Sequence, residues 1–265
     1  MEISSLSSFD FAFDPSLVAT EAVEPRSDSR LMVVHRATGK IRHDRFFNLA
    51  EYLPSGSLVV VNDTLVLSAR FKGQRETGAR IEGLFLRPDH DGVWVWLKGH
   101  VRSGEDIGIE GFGSVKVRTR EDKRAFLEVN PLLFTEFLSQ KGLTPLPPYI
   151  RSERERRGLD ENQEIDKTRY QSIFANSQNQ ASSVAAPTAS LHFDQRVIER
   201  IQQKDIRFCS VRLDVGEGTF EPIMTENLED VVLHSERVSI SDESWMEIQK
   251  AKKEGRKVIA IGTTV

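Results

Sequence analysis

The sequence has little cysteine and no apolar run of membrane-span length. Of its 265 residues, Cys209 is the single cysteine. One thiol cannot close an internal disulfide or a CxxC metal site, which excludes disulfide scaffolds and zinc ribbons. Residues 172–193 are uncharged, but their amides and Pro187 are unsuited to hydrocarbon. The N-terminal residues lack the basic and apolar regions of a signal peptide, so we expect a cytoplasmic protein without a membrane partner.

The composition is that of a globular protein, with an uneven distribution of charge. At 265 residues, 38% hydrophobic and 29% charged, one large domain or two moderate ones are expected. The net charge is −4, yet residues 213–249 hold ten carboxylates and one cation, Arg237. Such segregation suits a protein with one face for a polyanion and another for a cationic small molecule. A solvated acidic helix and loop explains it equally well.

The first half of the chain changes its pattern near residue 71. Apolar runs predict strands at 30–35, 57–62 and 65–71, with a helix over 44–53. Four short alternating runs then follow up to residue 130, which is typical of a small antiparallel barrel. Trp94 and Trp96 share one strand face, and we interpret them as barrel core rather than as a base-stacking platform.

The second half predicts an alternation of helices and strands. A helix over 131–141 and a proline-rich connector at 143–150 come first, and the arginine-rich residues 151–157 suit a solvated loop or a phosphate clamp. We then expect helices at 167–175, 194–204 and 242–254, and strands at 206–215, 236–240 and 258–261. The predicted fold is an α/β main domain, residues 1–71 and 143–265, with an inserted small antiparallel β-barrel, residues 72–142.

Polar residues that could carry chemistry follow the predicted strands. Two strands run into glycine-rich turns at 214–219 and 262–264, where ligands of open α/β sheets bind. His192, Asp214, His234 and Glu236 together suit proton transfer or a metal site, or the histidines are merely hydrogen-bonded near the surface. Residues 62–64 either bind ligand hydroxyls or form an Asx turn. Cys209, inside an apolar run, is interpreted as a strand residue rather than a nucleophile.

Several long strings occur in one order that matches a known family. They are VVVNDTLVLSAR (59–70), TPLPPYI (144–150), RYQSIFA (169–175), VAAPTASLHF (184–193), LDVGEGTFEPI (213–223), LHSERVSI (233–240) and GRKVIAIGTT (255–264). The chain therefore resembles the S-adenosylmethionine:tRNA ribosyltransferase-isomerases of queuosine biosynthesis from about residue 28 onward. That family has an α/β domain interrupted by a small β-barrel, which agrees with the prediction above.

The resemblance implies an activity and a set of site residues. The activity is transfer and isomerisation of the ribosyl group of S-adenosylmethionine onto 7-aminomethyl-7-deazaguanine in the tRNA anticodon, giving epoxyqueuosine, adenine and methionine. S-adenosylmethionine is then a cosubstrate, and no tightly bound cofactor or metal is expected in a protein taken to be a monomer. Catalytic roles are implied for His192, Asp214 and Glu236, and RNA contacts for Arg70 and Arg151. The residues implied to contact the cosubstrate are Asp63, Pro187, Thr188, Gly216, Gly218, Thr219, His234, Gly262, Thr263 and Thr264.

The chain departs from the family pattern at positions that face ligands. Leu65 stands where the family has arginine, Ser190 where it has glycine, and Asp214 where it has histidine. A carboxylate with an ordinary pKa only accepts hydrogen bonds, so a step that needs a donor there would be impaired. Family members also continue beyond the position of Val265, so we expect a fragment or a shortened paralogue. The alternative function is a non-catalytic or weakly active paralogue that retains the fold and tRNA binding.

Overall fold

The computed structural model describes residues 5–178, 181–220, 223, 225–232 and 235–265. Its α-helices are α1 Pro131–Lys141, α2 Pro148–Arg156, α3 Gln163–Arg169, α4 Gln195–Gln202 and α5 Asp242–Lys253. Its strands are β1 Arg30–His35, β2 Lys40–Arg45, β3 Leu58–Asn62, β4 Arg70–Arg75, β5 Arg80–Pro88, β6 Val93–Lys98, β7 Asp106–Ile109, β8 Gly113–Glu121, β9 Arg124–Glu128, β10 Arg207–Asp214, β11 Arg237–Ser239 and β12 Val258–Ala260. None of the described helices is both long and apolar enough to cross a membrane.

A mixed sheet with the order β11-β10-β3-β12 forms the α/β part of the fold. β3 lies parallel to both β10 and β12, and Val60 pairs with Cys209 on one side and Ala260 on the other. All five residues of β3 are buried, as expected for a continuous apolar run covered on both faces. α4 and the 3₁₀ helix Phe46–Tyr52 contribute to the apolar cluster on one face, and Ala251 of α5 contacts the other.

A closed antiparallel barrel with the strand order β4-β5-β6-β9-β8-β7 forms the second part. Its core is continuous with α1, because Phe134 is fully buried and its ring lies 5.5 Å from that of Phe71. The predicted fold class is therefore confirmed. The division into residues 1–71 with 143–265 and residues 72–142 stays a prediction. Near the two ends of the predicted insert, Arg70 and Leu143 exchange backbone hydrogen bonds of 3.1 and 2.8 Å.

Two predicted elements near residue 60 differ from the structure. The expected helix over 44–53 is the 3₁₀ helix Phe46–Tyr52. The structure describes residues 65–71, and they form no strand until β4 begins at Arg70. Val66 makes only an isolated bridge to Ser183. The apolar residues 65–69 are instead mostly buried without strand pairing, so burial alone produced the misleading pattern.

Two predictions around the arginine-rich segment are also wrong: a predicted loop is helical, and a predicted helix has different ends. Residues 151–157 are mostly helical, since α2 runs to Arg156. Glu153 stabilises the helix through Arg156 and Arg157, whose nitrogens lie 2.6 and 2.5 Å from its carboxylate at i+3 and i+4. The next helix, α3, begins after the cap Asn162 and ends at Arg169 rather than spanning 167–175. The charged face of α2 hid its helical period.

The interpretation of Trp94 and Trp96 as barrel core is wrong. Val93, Val95 and Leu97 are at most 1% exposed and fill the barrel, so strand alternation directs both tryptophans outward. Trp94 is held there by its indole N–H, which donates to Asp89 at 2.8 Å. Trp96 is half-buried on the outer face.

Candidate active site

The carboxyl ends of β3, β10 and β12 meet at one edge of the sheet, and Asn62 connects them. Asn62 is fully buried at the end of β3. Its Oδ1 accepts from the N–H groups of Thr64 at 2.9 Å and Leu213 at 3.3 Å. Its Nδ2 donates to the carbonyls of Leu213 at 2.9 Å and Thr264 at 3.2 Å. Of the two interpretations of residues 62–64, the Asx turn is present and is made by Asn62, whereas ligand binding by Asp63 stays a prediction.

Three buried oxygens without hydrogen-bond partners belong to this edge. Oδ2 of Asp63 accepts from Ser210 at 2.8 Å, whereas its Oδ1 has no partner. The hydroxyls of Ser190 and Thr264 are likewise buried and unpaired. Because buried polar groups normally have partners, each of these oxygens could accept a hydrogen bond from a ligand that approaches it.

Asp214 is an ionised acceptor at the end of β10. Its Oδ1 accepts from Oγ1 of Thr64 at 2.8 Å and from Nε of Arg212 at 3.0 Å. Burial alone would raise the pKa of Asp214, but hydrogen bonds from Thr64, Arg212 and Ser182 outweigh it and hold the pKa below its usual value. At neutral pH the group therefore accepts hydrogen bonds and donates none.

The turn after β10 is held by Glu236. Oε1 of the exposed Glu236 accepts from the backbone N–H of Gly216 at 3.0 Å. A 3₁₀ turn Glu217–Phe220 follows, in which Gly218 is half-buried and Thr219 is exposed. Glu236 thus positions the glycine-rich turn. His234 lies outside the described residues.

The turn after β12 packs closely against the 3₁₀ helix Thr188–His192. Gly262 has a φ of +91°, and a Cβ added there would lie 3.1 Å from Cβ of Ala189. Thr188 and Thr263 are exposed beside this contact, while Pro187 is buried before it. Glycine is required at 262 both for its backbone angle and for the close approach.

Gly262→Ala is expected to destabilise the protein more than Gly255→Ala. Gly255 also has a positive φ, +72°, but has open space around a Cβ position. The control should therefore cost only the backbone strain of about 1–2 kcal/mol, and Gly262→Ala should cost more because Ala189 must move. Urea unfolding of both variants measures the difference. Equal losses would contradict the close approach.

His192 ends the same 3₁₀ helix and borders a cavity. The cavity has a volume of about 360 Å³ and is also lined by Thr188, Arg154 and Tyr170. The His192 ring lies 5.3 Å from that of Phe46, and desolvation by the surrounding protein lowers its pKa. The ring is therefore mostly neutral at pH 7. No hydrogen bond joins it to Asp214 or Glu236 among the residues that the structure describes.

Comparisons with known proteins identify the family. A family model described as "Queuosine biosynthesis protein" matches residues 6–265. The S-adenosylmethionine:tRNA ribosyltransferase-isomerase of Thermotoga maritima is 36% identical over 98% of this chain and 74% of its own length. The corresponding protein of Desulfitobacterium hafniense is 39% identical over the same shares. The chain belongs to this family.

The family resemblance in the sequence strings is thereby confirmed, over about three quarters of the relatives' length. A crystal structure of the S-adenosylmethionine tRNA ribosyltransferase from Thermotoga maritima matches with 25% identity and a TM-score of 0.41, covering 96% of this chain and 68% of that one.

The two arginines of this chain that are implied to contact RNA, Arg70 and Arg151, differ in their surroundings. Arg70 is 3% exposed, and its guanidinium donates to Glu82 at 2.8 Å, Glu161 at 3.1 Å and the Thr144 carbonyl at 3.1 Å. This burial argues against a phosphate contact for Arg70 and gives it a structural role. Arg151 also pairs with Glu82, at 2.8 Å, but its side chain is 28% exposed.

A metal site and a nucleophilic Cys209 are two further possibilities that the sequence raises. Within the described ranges, no group of three or more histidine, cysteine or acidic side chains could hold a metal ion. Cys209 is half-buried in β10, and burial raises the pKa of its thiol. A protonated thiol in a strand suits packing rather than nucleophilic attack.

The sequence predicts the Asx turn at residues 62–64 but not that Asn62 also joins the ends of β10 and β12, and it does not indicate Ser190 or Ser210 as parts of this region. Asn62 ends a wholly apolar strand, which is a signal for a buried amide with fixed partners. The sequence marks Ser190 only as a departure from the family pattern, and nothing in it indicates Ser210, whose partner Asp63 is 147 residues away.

Proposed function

We propose that this chain transfers and isomerises the ribosyl group of S-adenosylmethionine onto 7-aminomethyl-7-deazaguanine in the tRNA anticodon. The observation that carries the proposal is the sheet edge at which the ionised Asp214 and the buried, unpaired oxygens of Asp63 and Thr264 follow three neighbouring strands, in a chain 36–39% identical to enzymes of that name. The products would be epoxyqueuosine in tRNA, adenine and methionine.

The residues at the edge suit a cationic cosubstrate with a ribose. Carboxylates favour the positive sulfonium, and the unpaired oxygens of Asp63, Ser190 and Thr264 offer hydrogen bonds to hydroxyls. The exposed Gly262 and Thr263 allow a ligand to approach the backbone. Of the two arginines implied to contact RNA, the half-buried Arg151 remains a candidate, although it also pairs with Glu82 and Glu161.

His192 is the candidate for proton transfer. The sulfonium acidifies the neighbouring ribose carbon, from which a neutral base can remove a proton. Adenine then departs, the aminomethyl nitrogen attacks, and methionine leaves as the epoxide closes. His192 has the neutral form that a base needs near pH 7, because desolvation lowers its pKa.

A weakly active or non-catalytic paralogue that retains tRNA binding is the second candidate. It is favoured by Asp214, whose negative charge is already paired with Arg212 at 3.0 Å and which cannot donate a proton at neutral pH. In that case the fold and the RNA surface would be retained while ribosyl transfer is slow.

An assay of adenine release tests the two candidates. The chain is incubated with S-adenosylmethionine and tRNA bearing the aminomethyl-deazaguanine, and adenine and RNA methylation are both measured. We expect adenine release that depends on the modified base, with no methyl group transferred. tRNA with guanine at that position is the control. Methylated RNA, or equal adenine release with the control, would contradict ribosyl transfer, and RNA binding without adenine release would favour the paralogue.

A further inference from the structure

A cleft on the outer face of the barrel combines an aromatic side chain with positive charge. It has a volume of about 500 Å³ and lies between β5, β6 and the residues around Pro145 and Pro148. Trp96, Lys98, Arg120 and Lys123 contribute to its walls. Its volume is in the range of small-ligand sites.

The charge of the cleft is positive after its ion pairs are counted. Its walls hold five cations and one carboxylate, Glu82. Glu82 lies 2.8 Å from both Arg70 and Arg151, and Glu161 also pairs with both, so these four groups largely cancel. The excess charge comes from the other three cations: Lys98, Arg120 and Lys123.

Arg120 is fixed in place without being neutralised by the contacts that hold it. Its Nε donates to the carbonyl of Asp122 at 2.8 Å and its Nη2 to the carbonyl of Leu97 at 3.1 Å. Its third nitrogen, Nη1, is buried and has no hydrogen-bond partner. Carbonyls orient a guanidinium but leave its charge available to an anion.

A second cavity extends the positive surface beyond Arg120. It has a volume of about 320 Å³, shares Gly99 and Arg120 with the cleft, and is lined by His100 and Arg102. The exposed Arg102 adds a further cation next to Arg120, and the exposed His100 lies beside it. Such a group of cations suits a chain of phosphates better than it fits a single anion.

We propose that this cleft binds an unpaired nucleotide of RNA, with the base stacked on Trp96 and the adjoining phosphates beside Arg120 and Lys123. Aromatic side chains in positively charged grooves are the usual platform for single-stranded nucleic acid. Trp96 faces outward because Val95 and Leu97 fill the barrel, and Arg120 is already oriented. That the RNA is a tRNA rests on the proposed function, whereas stacking of an unpaired base does not.

The test is fluorescence anisotropy of the full chain with a labelled anticodon stem-loop RNA, without S-adenosylmethionine. We expect Trp96→Ala to raise Kd by about 5- to 150-fold, the range for loss of one stacked base, and Trp96→Phe to retain most of the affinity. Lys123→Gln should weaken binding and lower the salt dependence by about one phosphate contact. Trp245→Ala is the matched control, because Trp245 is 53% exposed on α5, outside the barrel.

An abasic loop separates stacking from charge. For the natural chain, the abasic loop should have a higher Kd than the intact loop. For Trp96→Ala, the abasic and intact loops should have the same Kd. Unchanged affinity in Trp96→Ala, an equal loss in Trp245→Ala, or no RNA binding by the natural chain would overturn the proposal. If adenine is not released while the Trp96 effect persists, the enzymatic function fails and the nucleotide site stands. If turnover occurs and Trp96→Ala leaves both Kd and KM for tRNA unchanged, only the nucleotide site fails.

Discussion

His192→Ala is expected to lower adenine release by about 10²- to 10⁴-fold, the usual loss on removing a general acid or base. The His192 side chain is exposed beside a cavity and makes no hydrogen bond to the described carboxylates Asp214 and Glu236, so its removal should leave the fold intact. Single-turnover measurement of adenine with the modified tRNA gives the rate, and thermal unfolding gives the stability.

The control and the pH profile make this prediction specific. His43→Ala removes another exposed histidine, on β2, and should leave the rate unchanged. Because desolvation lowers the pKa of His192, a neutral His192 base should lose activity only as pH falls below the ordinary histidine value of about 6.5. His192→Ala should remove that limb of the profile. Unchanged turnover would exclude His192 from the reaction.

The parts of the fold that the sequence predicts correctly are those decided by local pattern. β3 is predicted because it is continuously apolar, and the structure buries it on both faces. α5 is predicted to within one residue because Ser241 caps its first turn and Gly255, with φ +72°, follows its end. The glycine-rich turns follow β10 and β12, at the edge where parallel strands place ligands.

The parts that the sequence does not predict depend on partners far along the chain. Arg70 appears available for phosphate until Glu82 and Glu161, 12 and 91 residues away, enclose it. The orientation of Trp96 depends on which face of β6 closes the barrel, and alternation alone leaves both faces possible. The position of the 3₁₀ helix that ends in His192 depends on the contact between Ala189 and Gly262, which lie 73 residues apart in the sequence.

Asn62→Ala is expected to destabilise the protein by about 2–6 kcal/mol or more and to weaken S-adenosylmethionine binding at the same time. The change removes four hydrogen bonds, each with a net contribution of about 0.5–1.5 kcal/mol. It also leaves the backbone groups of Leu213 and Thr264 without this partner at a buried position, which adds to the loss.

The two effects of Asn62 can be separated by a conservative variant and a matched control. Asn62→Asp keeps the shape and the acceptor oxygen but cannot donate to the carbonyls of Leu213 and Thr264. It should therefore loosen the ends of β10 and β12 while preserving the turn to Thr64. Asn227→Ala removes an exposed asparagine with one side-chain hydrogen bond, to Asp230 at 3.1 Å, and should cost less than about 1 kcal/mol. Urea unfolding and calorimetry with S-adenosylmethionine measure both properties. If Asn62→Ala cost no more than Asn227→Ala, or left cosubstrate affinity unchanged, Asn62 would not be the residue that holds the three strand ends in position for a ligand.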